Sequence, residues 1–348
     1  MTKFRVAISG DFKKADGSSA FPDFDLSPLE RNSAIDVNYI PVNGLVKAEA
    51  LQGFDALILL VPRIEQASFP KDGRLSLIAR FGVGYDNVDL KACSDHGCAL
   101  AITPDGVRRP VAVSVITFML ALAGKLMIKD KLTREGPAGW AKRNDHMGVG
   151  LVGRTLGQLG IGNIGAEVFR MAKPFDMNFI AHDPYANPKV ARELGIRLVS
   201  LEELFLESDF LSVSCPLTEE THHIVNSDRL ALMKPSAYLI NTARGPVVHQ
   251  ADLTKVLEQG RIAGAALDVF EEEPSIDGDP LYKLDNVILA PHSICWTDQC
   301  FAGNGAADIK AVFDVMHGRV PTGVVNREVL EQQAWRDKLE GYKNQFGG

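Results

Sequence analysis

The sequence predicts an α/β chain built on two doubly wound parallel sheets. Short apolar runs alternate with helical segments through most of the chain. The runs are apolar almost continuously, as suits parallel strands buried on both faces. The rhythm restarts after Pro104, and 348 residues suffice for two ordinary domains.

In the first series the runs 4–9, 37–42 and 56–61, together with Ile78 to Phe81 and Ala99 to Ile102, read as strands. Pro110 suits the first residue of a helix, since its missing N–H would be unpaired there anyway. Apolar residues from Val111 to Leu126 run nearly all round that helix, which predicts burial. Its most apolar part, Val111 to Ala123, is too short for a bilayer, which takes about 20 residues. A loop rich in glycine and charge is expected from Gly136 to Arg154.

The second series offers Thr155 to Ile161, Asn178 to His182, Phe210 to Cys215, Ala237 to Thr242, Ala263 to Val269 and Val287 to Ala290 as strands. A returning helix is expected from Asp308 to His317, then a polar, helix-prone tail from Glu328.

Composition narrows the function classes. The net charge of -7 argues against nucleic acid and anionic membrane surfaces as partners. The five cysteines are odd in number, irregular in spacing and form no CxxC pair, so neither a disulfide framework nor a metal site is expected. Reduced thiols in a cytoplasmic protein fit best. The first ten residues run directly into a strand pattern and predict no signal peptide.

The strongest local signal is Gly160-Ile161-Gly162-Asn163-Ile164-Gly165, with a strand before it and a helix, Ala166 to Ala172, after it. Gly160 permits a tight turn, Gly162 lets a pyrophosphate reach the backbone, and Gly165 lets helix and strand pack closely. The phosphates then meet free N–H groups at a helix N-terminus. Asp183 ends the next strand, where a carboxylate can accept hydrogen bonds from the ribose hydroxyls and repel a 2′-phosphate. NAD is therefore expected over NADP.

Three later segments each place a reactive side chain just after a strand, where α/β sheets bind ligands. Arg244 in Asn241-Thr242-Ala243-Arg244-Gly245 can pair bidentately with a carboxylate. Glu271, Glu272 and Glu273 precede Pro274, and His292 follows Pro291. Taken singly, these fit a surface arginine, a solvated acidic loop and a structural histidine. Together they suit oxidation of a hydroxy acid: a hydride leaves C2, His292 takes the hydroxyl proton, a carboxylate orients the ring, and arginine stabilises the substrate carboxylate.

From about Arg80 to about Asn326 the sequence resembles the D-isomer-specific 2-hydroxyacid dehydrogenase family. The glycine motif with Asp183, the Asn-Thr-Ala-Arg-Gly segment, Asp268-Val269-Phe270-Glu271-Glu272-Glu273-Pro274 and Pro291-His292 carry the resemblance, in that order. It implies Arg244, Glu273 and His292 as the catalytic set, with Arg244 and His292 also touching substrate and cofactor. It places Asp268 near the nicotinamide, and adds cofactor contacts at Asn163, Ile164, Cys215, Thr242 and Ala243. It makes Gly82, Val83 and Gly84 a loop whose backbone N–H groups hold the substrate carboxylate.

The resemblance also implies a Rossmann NAD-binding domain, 104–296, inserted in a flavodoxin-like substrate domain, 1–103 and 297–348. The active site would lie in a cleft closed by a hinge. A homodimer would form through the long helix after Pro110.

Two departures stand out. Ser293-Ile294-Cys295-Trp296 replaces the family's usual Ile-Gly-Gly beside the histidine, and Val113 replaces a usual acid. Two other readings fit the same residues: an NAD-sensing binding module of corepressor type, and a dehydrogenase of a non-hydroxy-acid substrate such as phosphite.

Overall fold

The computed structural model describes residues 3–41 and 43–347. The chain divides into two compact units, Met1–Val107 with Trp296–Gly348, and Arg108–Cys295. Each is described by itself.

The first unit holds five parallel strands, β1 (Phe4–Ser9), β2 (Ile35–Ile40), β3 (Ala56–Leu59), β4 (Leu77–Arg80) and β5 (Ala99–Ile102). Their order is β2-β1-β3-β4-β5, the flavodoxin-like arrangement. Residues of β3 and Leu77, Ile78 and Ala79 of β4 are fully buried, as expected of strands covered on both faces. The expected strand 37–42 lies two residues too late, and its last residue, Val42, is outside the described residues.

The helix Asp298–Met316 begins ten residues before the expected start, with Thr297 capping it through a bond from the Cys300 N–H. The tail contributes to the core through Trp335 and Leu339. Helix Gln333–Phe346 inserts Trp335 into the core, where its Nε1–H donates to the Ser76 carbonyl at 3.0 Å. Lys338 Nζ donates to the carbonyls of Leu75, His96 and Gly97.

The second unit holds seven parallel strands, β6 (Thr155–Leu159), β7 (Asn178–His182), β8 (Arg197–Leu198), β9 (Phe210–Val213), β10 (Tyr238–Asn241), β11 (Gly264–Leu267) and β12 (Val287–Leu289), in the order β12-β11-β10-β9-β6-β7-β8. The order reverses between β6 and β9, the switch point at which such sheets bind ligands. Two apolar clusters accompany the sheet: one gathers Val168, Phe169 and Phe210, the other Leu204, Phe205 and Leu239. β8 is a two-residue exposed edge strand that the sequence reading missed.

Three expectations for the long apolar helix need correction. It runs Pro104–Gly124, so Pro104 opens it and Pro110 lies inside. The missing Pro110 N–H costs one bond, to the Gly106 carbonyl near the helix start, where the loss is smallest. The helix is not buried all round: Ala112, Val115, Phe118, Met119 and Leu122 are in the core, but Val113 and Leu120 are exposed. At 21 residues it is also long and apolar enough to cross a membrane by length and composition. What marks it as a core helix is its packing, not its length. The expected loop 136–154 contains a short helix, Pro137–Ala141, and a 3-10 turn, Arg143–His146.

Candidate active site

The strands of the second unit end in register. Leu289, Leu267, Asn241, Val213, Leu159 and His182 lie side by side across six strands. The loops carrying His292, Glu273, Arg244, Cys215, the glycine motif and Asp183 therefore leave one sheet edge in that spatial order. Parallel pairing alone gathers residues up to 132 positions apart (from 160 to 292).

At one end of the row, His292 Nδ1 lies 2.7 Å from Glu273 Oε2. Glu273 Oε1 accepts the Phe270 N–H at 3.0 Å, so both oxygens of this carboxylate are engaged. Burial pushes the Glu273 carboxyl up. The His292 hydrogen bond and charge, the Phe270 N–H and the Arg244 charge outweigh it, and the group sits below its ordinary value. With Nδ1 committed to a carboxylate, Nε2 is the ring nitrogen left for proton exchange. His292 adopts φ 51°, a left-handed conformation uncommon outside glycine.

Asp268 holds that turn. It is buried and accepts the N–H groups of Ser293 at 2.9 Å and Ile294 at 3.2 Å. Burial raises its pKa, against the opposing effect of those two bonds.

The Arg244 loop is braced by Asn241, a buried polar residue ending an apolar strand. Its Oδ1 accepts the Ala243 N–H and its Nδ2 donates to the Arg244 carbonyl, both at 3.0 Å. Arg244 Nη1 donates to the Ala243 carbonyl. Gly245 lies against the neighbouring loop: a Cβ there would fall 1.7 Å from the Phe270 carbonyl oxygen. In the sequence Asn241 and Gly245 stand out only as parts of a motif. A polar residue closing an apolar strand was the available signal for Asn241; no local signal marks the Gly245 contact.

The three consecutive acids have separate fates. Glu271 pairs with His223 and accepts the Gln250 N–H, Glu273 pairs with His292, and Glu272 is exposed.

The glycine motif fits a dinucleotide. Gly160 has φ 95°, and a Cβ on Gly165 would lie 2.4 Å from the Gly160 carbonyl oxygen. Around the Cβ position of Gly162 there is open space, and no side chain caps the helix Asn163–Ala172 that it starts. Free N–H groups and room for a pyrophosphate thus coincide at the switch point. Asp183 accepts the N–H groups of Ile161 at 2.9 Å and Tyr185 at 2.8 Å, which fixes its carboxylate beside the motif with lone pairs left for ribose hydroxyls. Burial pushes the Cys215 thiol up to about 12, so the lining there stays neutral.

In the first unit, Gly82 follows β4, and its N–H donates to Thr103 Oγ1 at 2.9 Å. Thr103 in turn donates to Asn304 at 2.8 Å. Among the described residues, the N–H groups of Val83 and Gly84 donate to no other residue. Trp296 packs edge-on against Phe21 and Phe301.

A protein-family model, D-isomer specific 2-hydroxyacid dehydrogenase, NAD binding domain, matches residues 116–293. A glyoxylate reductase from Korarchaeum cryptofilum is 37% identical over 315 residues, covering 89% of this chain and 95% of that protein. A glyoxylate reductase from Thermococcus onnurineus is 40% identical over 292 residues, covering 82% and 86%. Among solved structures, an NADPH-dependent glyoxylate/hydroxypyruvate reductase from Sinorhizobium meliloti, in complex with NADP and malonate, aligns with a TM-score of 0.78 at 26% identity, covering 93% of this chain and 97% of that one.

Proposed function

This chain belongs to the D-isomer-specific 2-hydroxyacid dehydrogenase family, and we propose that it reduces a small 2-keto acid of the glyoxylate or hydroxypyruvate kind to the D-2-hydroxy acid. The observation that carries this reading is the Glu273–His292 contact at 2.7 Å, at the strand ends beside the Arg244 loop.

When bound, NADH supplies the hydride that C2 of the substrate gains. His292 delivers the accompanying proton from Nε2 to the carbonyl oxygen. Glu273 orients the ring through Nδ1 and balances its charge before transfer. Arg244 pairs with the substrate carboxylate and polarises the carbonyl. The backbone N–H groups of Val83 and Gly84 are proposed as donors to a substrate carboxylate. Gly160, Gly162, Asn163, Ile164 and Gly165 hold the pyrophosphate, with Cys215, Thr242, Ala243 and Asp268 along the same sheet edge.

Asp183 favours NAD over NADP through its charge. The exposed apolar residues Val113 and Leu120 of the helix Pro104–Gly124 support a homodimer through that helix. Among the described residues the cysteines form no disulfide, which fits a cytoplasmic setting.

The test is NADH oxidation, followed by absorbance, against glyoxylate, hydroxypyruvate, pyruvate, 2-ketobutyrate, phenylpyruvate and 3-phosphohydroxypyruvate. Turnover that His292→Ala lowers by about 100-fold or more, with NADH binding retained, is the expected result. Silence on the whole panel, or full activity in His292→Ala, overturns the reading.

A further inference from the structure

The segment Glu271-Glu272-Glu273 offers three carboxylates within three residues, on a loop where Glu272, Glu273 and Pro274 are exposed. Any of the three could compete for a nearby imidazole. What holds the segment in register is a set of contacts in which His292 takes no part.

Gln250, the first residue of the helix Gln250–Glu258, makes a reciprocal pair with Glu271. Its N–H donates to Glu271 Oε2 at 2.8 Å, and its Oε1 accepts the Glu271 N–H at 3.1 Å. Glu271 Oε1 is taken by His223 Nε2. The Gln250 side chain also donates through Nε2 to Asp279 Oδ2 at 2.7 Å. Asp279 is almost fully buried, and the same oxygen accepts Ser275 Oγ–H at 3.2 Å. One glutamine side chain thus anchors residue 271 directly and residue 275 through Asp279. Glu273 lies midway between the two anchors.

We infer that Gln250 is a positioning residue for the reduction: by pinning the Glu271 backbone through Oε1 and tethering Ser275 through Asp279, its side chain sets Glu273 as the partner of His292. The inference rests on the reaction proposed above. Gln250 touches neither Glu273 nor His292 and acts on them only through the loop. Loss of its side chain frees the Glu271 N–H and unties Asp279, and with it Ser275, so the segment shifts and the His292 ring is held in its reactive orientation a smaller fraction of the time.

The experiment is a double-mutant cycle on the full chain. Gln250→Met keeps side-chain length and removes the side-chain hydrogen bonds. It is measured for kcat with NADH and the best 2-keto acid, and for NADH binding by fluorescence titration, alone and combined with Glu273→Gln. The expected result is a kcat about tenfold lower with NADH affinity within about twofold of wild type. With Glu273→Gln already present, the further effect shrinks below about twofold. His223→Phe, which removes only the bond to Glu271 Oε1, is the second variant should Gln250→Met fail to fold, and the same pattern is expected of it.

An unchanged kcat, or an equal loss in both backgrounds, overturns the inference, since a merely structural role costs the same whatever stands at 273. A wild type silent on the panel overturns the reaction reading and this inference with it. A wild type that turns over while Gln250→Met matches it overturns the inference alone.

Discussion

Gly245→Ala asks with one methyl group whether the Arg244 loop and the Glu273 loop act as a unit. A Cβ at 245 would fall 1.7 Å from the Phe270 carbonyl oxygen and 1.9 Å from its carbon. Both are backbone atoms, so no side chain can swing aside. Ordinary contact begins at about 3.5 Å, so the loops must part by roughly 1.8 Å. The backbone that moves carries the Phe270 N–H that holds Glu273. A misplacement of about 1 Å costs about 100-fold in rate, equivalent to about 2.7 kcal/mol of barrier. Overpacking destabilises by about 1–3 kcal/mol, which lowers Tm without unfolding the chain.

The assay is kcat/KM by NADH absorbance, with NADH affinity and Tm measured on the same samples. We expect turnover to fall about 100-fold while NADH affinity stays within about threefold. Turnover within about threefold of wild type would refute the reasoning, because the loops would then not need their close approach. Loss of NADH binding in step with turnover would refute it too, by pointing to general damage.

Three further outcomes are expected. Asp183→Ala weakens NAD binding and raises the NADP to NAD ratio of kcat/KM by about tenfold or more, and an unchanged ratio removes Asp183 from the cofactor site. Glu273 titrates below its ordinary value, so its pairing contributes stability above the unfolded-state pKa of about 4.3, and loses it as pH falls through the lower folded-state value. The Tm gap between wild type and Glu273→Gln should be widest near neutrality and close in acid; a gap that stays constant from neutrality into acid contradicts the pairing. Trp335→Ala removes a fully buried ring and its bond to Ser76, which should cost about 3–5 kcal/mol by denaturant melting, and a cost under about 1 kcal/mol would mean that the C-terminal helix is not part of the core.

The sequence by itself determined the two sheets and nominated the residues of the candidate site. Apolar runs buried on both faces are continuous in sequence, so eleven of the twelve strands among the described residues were legible. Their ends were set too late where apolar character outlasts pairing: Phe81, Ile161 and Val269 are buried yet lie beyond their strands. β8 escaped because two exposed residues carry no period. Pro110 misled because a proline that opens a helix and one tolerated near its start look alike locally.

Tertiary structure alone decided how the site residues are held. The choice of Glu273 over Glu271 came from family resemblance at the sequence level. In the fold it follows from Gln250 and His223 occupying Glu271. The bond from Ile161 to Asp183, the grip of Asp268 on the His292 turn, and the collision reserved at Gly245 all join segments 20 or more residues apart. Periodicity and local propensity describe one segment at a time. Which backbone N–H meets which carboxylate is set only when parallel strands bring their ends into one row.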